Sequence, residues 1–420
     1  MGKRILLTTT GSLGDLHPYI AIGLELRARG HHVTLATSNF YRAKIEKAGL
    51  NFSPMGPHMA MEGSVVMARV LDSRKGPEYL IRKLLYPSVP AAYAEVMAAL
   101  KGAELIVTHP ITYAAHIAAE KTGIPWISTV TTPMSFFSCF DASVIAPYPF
   151  PIKVRALGPG AYGVLLKLGR LQTRFWRAHP NRFRASIGLP PGADPIFEGQ
   201  FSPRGVLALF SSLMGEPQPD WPPKTRVTGF PFYDQAEHGQ GMDEGLERFL
   251  DAGEPPVVFT LGSSAVFRAG NFYKESIAAI QRLGCRAVLL TGGNPLPSPL
   301  PPGVFELSYA PYSQILPRAS AVVHSGGIVT SGQALAAGRP MLVVPHAFDQ
   351  PDNAARLRRL GVAFTIHRHR YTSQRVCSAL MDLLSASGYR ECAAQAAQRI
   401  ARENGVGAAC DAIDYLSLSS

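Results

Sequence analysis

Eight consecutive residues in the second half of the chain combine the groups that hold a phosphate: His324, Ser325, Gly326, Gly327, Ile328, Val329, Thr330 and Ser331. Residues 321–324 read as a buried strand and the residues after Gly327 as a helix, which places both glycines at a helix N-terminus. Unpaired N–H groups there, approached without hindrance at Gly326 and Gly327, suit a phosphate or diphosphate, and His324 can donate to an anionic oxygen. Taken alone, such a turn is equally a tight strand-to-helix connection. The next apolar strand, 341–344, runs into Asp349 and Gln350, a carboxylate and an amide able to bind several hydroxyls of a sugar. Two titratable side chains stand near the start of the chain, in Gly14-Asp15-Leu16-His17-Pro18; an ordinary carboxylate, of pKa about 3.9, is ionised and a weak base. A helix cap is the structural alternative for Asp15.

The elements that must position these groups alternate. Strands are predicted at 4–8, 32–37, 104–107 and 126–130, with helices at 18–29, 41–48 and 114–121 between them; Pro18 suits a helix's first turn. A Pro/Gly-rich passage at 215–241 follows, and the pattern restarts with a strand at 256–261 ahead of Gly262, Ser263 and Ser264, then strands at 287–290, 321–324 and 341–345. This is an α/β chain of two similar halves with parallel sheets, whose ligands bind beyond the carboxyl ends of the strands. The expected division is 1–233, a linker at 234–242, 243–400, and a C-terminal helix at 401–420.

Composition supports that organisation. With 420 residues, 46% hydrophobic and 17% charged, the chain can bury two cores and is not a disordered protein. Five cysteines without a C-x-x-C pair suggest neither a disulfide framework nor structural zinc, so a reducing compartment is expected. The apolar run after Lys3 and Arg4 is too short for a signal peptide, and no run reaches about 18 apolar residues. A cytoplasmic protein that can touch a membrane without crossing it is the expectation. Net charge is +11, and no acidic residue lies between Asp141 and Asp194 while Lys153, Arg155, Lys167, Arg170, Arg174, Arg177, Arg182 and Arg184 do. That span reads as a solvated helical face or, given Phe175, Trp176 and Phe183 among the cations, as a patch for anionic lipid or an acidic acceptor. Nucleic acid is not expected, because no binding module accompanies the charge. His367 and His369 read as a solvated strand face rather than a ligand pair.

The order H-x-G-G-x-x-[ST], then D-Q-x-x-N, resembles the nucleotide-sugar glycosyltransferases of the GT-B class, specifically the inverting family 1 group of plant secondary-product, sterol and antibiotic glycosyltransferases. Bacterial rhamnosyltransferase B chains are similar in GSLGDLHP, DWPPKTRVTGFPFYD, RFLDAGEPPVVFTLGSS and the YAP to DQPDN block, which together span most of the chain. The resemblance implies two facing Rossmann-like domains, the acceptor held by the N-terminal half, the donor by the C-terminal half, and a last helix returning to the N-terminal domain. It implies a dTDP- or UDP-sugar as co-substrate, no separate cofactor, and rhamnose or another hexose as the group transferred to an apolar, anionic lipid such as a hydroxy fatty acid.

Residue by residue, it puts Tyr309 on the nucleotide base, where plant members carry Trp, with Ala310 beside it. His324, Gly326, Gly327 and the amides around Thr330 and Ser331 would hold the diphosphate, Gly262 and Ser263 would add a second phosphate contact, and Asp349 with Gln350 would bind the sugar. Asp15 matches the catalytic position after the glycine, with His17 as the alternative. The chain has no D-x-D triplet, by which the other glycosyltransferase fold binds a divalent metal, so no metal is expected. Met134, Phe136, Phe137, Phe140 and Tyr148 follow the strand ending near Val130 and are read as lining an apolar acceptor pocket or as ordinary core. A polyketide, sterol or phenolic acceptor, a nucleotide-sugar epimerase and a non-catalytic sugar-nucleotide module are the competing readings. A dehydrogenase is disfavoured, because Gly11-x-x-Gly14 is not the dinucleotide fingerprint.

Overall fold

The computed structural model describes residues 2–58, 65–145, 157–233 and 242–418; the linker expected at 234–242, except its last residue, and Tyr148, Lys153 and Arg155 lie outside these. The chain divides into two compact units. One comprises Met1–Val70, Arg74–Tyr233 and Asn404–Ser420, the other Leu71–Ser73 and Asp234–Glu403.

The first unit is built on seven strands: β1 Arg4–Thr8, β2 His32–Thr37, β3 Asn51–Pro54, β4 Leu105–Thr108, β5 Trp126–Val130, β6 Val206–Ala208 and β7 Thr225–Val227. Their order is β3-β2-β1-β4-β5-β6-β7 and every neighbouring pair is parallel. The uninterrupted apolar run of β1 follows from burial on both faces. Ile5 and Leu7 face a core with Leu16, Ile20 and Leu35, whereas Leu6 faces the opposite core with Val96, Ile106 and Ala115.

The helices of this unit include α1 Leu13–Ala28, which carries Asp15, α2 Tyr113–Thr122 and α3 Pro159–Thr173. Helix α1 starts at Leu13 and not at Pro18, which lies inside it. A capping box explains the earlier start. Ser12 is the extended N-cap, its hydroxyl accepts from Gly14 N–H, and the Asp15 carboxylate accepts from Ser12 N–H; this outweighs the preference of proline for the first turn.

The second unit carries β8 Val257–Thr260, β9 Ala287–Leu290, β10 Val304–Leu307, β11 Ala321–His324, β12 Met341–Val343 and β13 Ala363–Thr365. They form one sheet in the order β10-β9-β8-β11-β12-β13, again wholly parallel. Val257, Phe259, Leu289 and Val323 are wholly buried in its core. The helices that serve its site are α4 Ile328–Ala336 and α5 Gln350–Arg359.

The chain ends in two helices, Ser387–Ile400 in the second unit and α6, Gly405–Leu418, in the first; α6 lies within the helix expected at 401–420. Asn404 makes the break, its Oδ1 accepting from Gly407 N–H (2.9 Å) to start the new helix. Helix α6 then packs on α1, burying Cys410, Ile413 and Leu416 with Ile20 and Leu26, while Asp411 and Asp414 meet Arg29 at 2.6 and 3.0 Å.

In both sheets the order reverses beside the first strand of the unit, between β1 and β4 and again between β8 and β11. Such a reversal opens a crevice beyond the carboxyl ends of the two strands. The loops after β1, β4, β8 and β11 are therefore the places to look for chemistry.

Candidate active site

In the first unit the first turn of α1, which follows β1, holds Asp15 and the loop after β4 holds His109. One oxygen of Asp15 is engaged locally: Oδ2 accepts from Ser12 N–H at 2.8 Å and from the Ser12 hydroxyl at 3.2 Å. The other, Oδ1, lies 3.4 Å from His109 Nε2. Nδ1 of His109 accepts from Ile111 N–H (3.4 Å), so Nε2 is the ring's donor nitrogen, and its approach to Oδ1 does not have hydrogen-bond geometry. At 3.4 Å this contact is longer than a good hydrogen bond, an arrangement that can tighten around a substrate. His109 is buried while a third of the Asp15 side chain reaches solvent. Gly11, at φ +132°, is required here, because a Cβ would lie 2.2 Å from Asp15 Oδ2.

The capping reading and the chemical reading of Asp15 thus use different oxygens of one carboxylate. His17, two residues on, is oriented differently. Its ring lies edge-on to Tyr233 at 5.3 Å, its Nε2 has no partner among the described residues, and burial, then Lys44, pushes its pKa down to about 3. A histidine in that state is neutral and holds a proton weakly.

In the second unit β11 ends on His324, which is wholly buried. Its Nδ1 accepts from Gly326 N–H at 3.1 Å, which puts the ring proton on Nε2, and Nε2 has no acceptor among the described residues. Burial lowers the pKa to about 3, so the ring is a neutral donor. Gly326 adopts φ +86°, and a Cβ there would lie 2.8 Å from Val343 Cγ1 and 3.2 Å from the Gln350 carbonyl. Gly327 is the N-cap of α4, and no side chain caps the helix. Its first N–H groups therefore lack the usual side-chain acceptor.

The other donor-site candidates divide into exposed and buried. Gly262 adopts φ +69° after β8, and a Cβ on it would lie 3.5 Å from Thr330 Oγ1, so the loop that carries Ser263 runs beside the first turn of α4. Tyr309 is exposed above a buried Ala310. Ser331, in contrast, is wholly buried with its hydroxyl donating to the Gly327 carbonyl (2.9 Å), and Gln350 Oε1 accepts from His346 and Ala347 N–H (2.8 and 3.2 Å). Both shape the loops in this geometry. Asn353 joins the two halves of the motif: its amide donates to the Gly326 carbonyl (2.9 Å) and to Asp349 Oδ2 (2.7 Å). Beneath them Asp352 and Arg356 form a buried ion pair at 2.7 Å that fixes α5. Phe348, just before Asp349, has φ +54°, a strained conformation for a bulky residue at the tip of the loop.

The apolar residues after β5 separate in the same way. Phe136 belongs to the core: it is 6% exposed and stacked on Trp221 at 3.9 Å. Phe137 leans on Phe197 (4.8 Å) and Met134 is half-buried, while Phe140 is 49% exposed. Asp220 pins this loop, accepting from the Ser138 hydroxyl at 2.7 Å and Cys139 N–H at 2.6 Å.

Sequence reasoning missed His109 and Asn353. His109 directly follows β4, and the pairing of β1 with β4 sets it beside the start of α1; the sequence carries no signal for that pairing. Asn353 stood within the quoted D-Q-x-x-N run but was given no task.

The buried histidines predict an acid sensitivity. Burial foremost pushes His17, His116 and His324 down to about 3 and His346 to about 4. Between about pH 6.5 and 4 the unfolded chain binds protons that the folded chain refuses, so stability rises with pH across this window and is lost on acidification. Each such histidine adds at most about 1.4 kcal/mol per pH unit. Urea melts should show a lower midpoint at about pH 5 than at about pH 7; an unchanged midpoint would contradict these assignments.

Two Rossmann-like units with wholly parallel sheets and a helical C-terminus form the GT-B glycosyltransferase architecture. The sequence comparisons agree. Residues 5–137 match the model of the glycosyltransferase family 28 N-terminal domain, and residues 279–405 that of the erythromycin biosynthesis protein CIII-like C-terminal domain. O-mycaminosyltylonolide 6-deoxyallosyltransferase of Streptomyces fradiae is 34% identical across 98% of this chain and 97% of its own. The chain belongs to the family 1 glycosyltransferases of the GT-B class and is a sugar-transferring enzyme. Among solved structures, the glycotransferase of kitacinnamycin superposes with a TM-score of 0.75 at 21% identity over 99% of both chains. Spinosyn rhamnosyltransferase SpnG, complexed with thymidine diphosphate, does so with 0.67 at 15% identity over 98% of this chain and all of its own. At those identities the likeness concerns the fold. Among the described residues no helix is long and apolar enough to cross a membrane.

Proposed function

We propose that the protein is an inverting, metal-independent glycosyltransferase that moves a 6-deoxyhexose such as rhamnose, or another hexose, from a dTDP- or UDP-sugar to a hydroxyl of an apolar acceptor. The observation that carries this reading is the His324 site: a buried N–H without an acceptor among the described residues at the end of β11, followed by two glycines and a helix N-terminus without a side-chain cap. Together they suit a diphosphate. The thymidine diphosphate of the SpnG complex and the 6-deoxy sugar named for the Streptomyces relative support the nucleotide and the sugar class.

The chemistry follows from the residues. Asp15 Oδ1 takes the proton of the acceptor hydroxyl as its oxygen bonds to the anomeric carbon. The bond from that carbon to the diphosphate breaks, the electron pair leaves with the diphosphate, and attack from the opposite face inverts configuration. Nε2–H of His324 and the dipole of α4 stabilise the charge that develops. His109 orients Asp15, and Asn353 holds Asp349 for the sugar hydroxyls. Buried His17 is the weaker candidate base.

For the acceptor we take a hydroxy fatty acid lipid, supported by exposed Phe140 and by the rhamnosyltransferase resemblance. A polyketide-type alcohol is the second reading, favoured by the acceptor named for the Streptomyces relative. Mass spectrometry of dTDP- and UDP-sugars crossed with hydroxy fatty acids, macrolactones, sterols and phenols decides between them. Turnover on the lipids should rise with chain length and fall when their carboxylate is esterified; better use of compact neutral phenols would sink the lipid assignment. Chelator should leave the rate unchanged, and restoration of a chelated sample by magnesium would refute metal independence. Sugar rearrangement without any acceptor would instead mark an epimerase.

A further inference from the structure

Helix α3 carries two apolar faces. Tyr162 and Leu166, four residues apart, are buried against Phe137, Cys139 and Ala142, and the Tyr162 hydroxyl donates to the Ser143 carbonyl at 3.1 Å. The opposite face carries Val164, Leu168 and Leu171, spaced by four and three, with Leu165 beside them and Phe175 four residues beyond. They are 56, 57, 53, 39 and 70% exposed. At 3.6 residues per turn the stripe lies half a turn from Tyr162 and Leu166, so it points away from the body of the unit. A contiguous apolar stripe of this kind on a folded domain marks an interaction surface.

The charge around it identifies the occupant. No Asp or Glu occurs from residue 142 to 193. Arg170 is paired with Glu198, Arg177 with Asp194 and Arg184 with Glu120. Lys167, Arg174 and Arg182 are exposed and form no ion pair among the described residues, and the Arg174 guanidinium lies over the Phe175 ring at 4.5 Å. An apolar stripe with unpaired cations and an aromatic at its border is the pattern of a helix lying in the headgroup layer of an anionic bilayer. A second copy of this chain is a poor occupant, because a two-fold contact through the same face would set these like charges against one another.

We propose that this face of α3 docks the enzyme on anionic phospholipid membranes, with Val164, Leu168, Leu171 and Phe175 inserted among acyl chains and Lys167, Arg174 and Arg182 against lipid phosphates. The inference goes beyond the transfer reaction and does not depend on which acceptor the enzyme uses.

Flotation of the full chain with vesicles tests it. Phosphatidylcholine vesicles containing phosphatidylglycerol should bind the protein at least about tenfold more tightly than phosphatidylcholine alone, and high salt should weaken that binding. The double variant Leu168→Asp/Leu171→Asp should lose about tenfold or more in vesicle affinity with an unchanged melting temperature, since both side chains are exposed in the folded chain. Lys167→Glu/Arg174→Glu should lose binding to the anionic vesicles in the same way, and Met381→Asp, at an exposed apolar position elsewhere, should lose none. Phe175→Ser serves as a milder replacement should the double variant melt early. Equal vesicle binding by parent and stripe variants, or no preference for anionic lipid, overturns the proposal. So does a dimer in sedimentation that the stripe variants break, which would give the face to a second copy.

Discussion

Replacing Asp15 with asparagine is expected to lower kcat by about 10²–10⁴-fold, the usual contribution of a positioned general base. The variant should fold. An amide oxygen can accept from Ser12 N–H as Oδ2 does now, so the capping box at the start of α1 survives, and Gly11 leaves room for the side chain. What disappears is the anionic oxygen that faces His109 Nε2 at 3.4 Å. Because Asp15 belongs to the first unit and the proposed phosphate site around His324 lies within the second, nucleoside diphosphate affinity measured by calorimetry should be unchanged. A fall in kcat with constant donor affinity is the signature of an interaction made in the transition state. Activity within about threefold of the parent would remove Asp15 as the base and return the role to His17.

The fold was legible because the chain repeats one simple unit. Apolar runs of four to six residues ending in Gly, Asp or His turns recur in both halves, and such runs have little choice but a parallel sheet covered on both faces. Boundaries were less legible. Pro18 reads as a helix start because proline suits a first turn, yet Ser12 and Asp15, at the spacing of a capping box, already start the helix at Leu13.

Candidate residues were legible by type but not by task. His324 and the two glycines could be read as a phosphate cradle, yet nothing in the sequence says that Ser331 turns its hydroxyl back to Gly327 or that Gln350 holds the turn at His346. His109 was invisible for a different reason. It lies 94 residues from Asp15 in a tripeptide without a motif, and only the pairing of β1 with β4 brings the two together. Burial also divided the apolar run after β5, sending Phe136 into the core and leaving Phe140 at the surface, because that choice depends on Trp221 from a distant loop.

His324→Ala should weaken nucleoside diphosphate binding by about tenfold or more and lower kcat by about 10²-fold. A hydrogen bond to a charged group is worth about 1.5–3 kcal/mol, and losing one donor to a developing anion costs about as much again in the transition state. The alanine variant also removes the Nδ1 that accepts from Gly326 N–H, so its loss of activity alone would not distinguish a phosphate donor from a loop brace. Two polar replacements separate these roles. Asparagine can set its oxygen near the place of Nδ1 and keep the Gly326 bond, but its amide is too short to reach where Nε2 lies. Glutamine reaches that place with an N–H and gives up the brace. If His324 acts as a donor to the diphosphate, His324→Gln should retain more affinity and more turnover than His324→Asn, although asparagine better preserves the loop. The reverse order, or diphosphate affinity unchanged in all three variants, would reduce His324 to a positioning residue for Gly326 and leave the N-terminus of α4 to hold the phosphates without it.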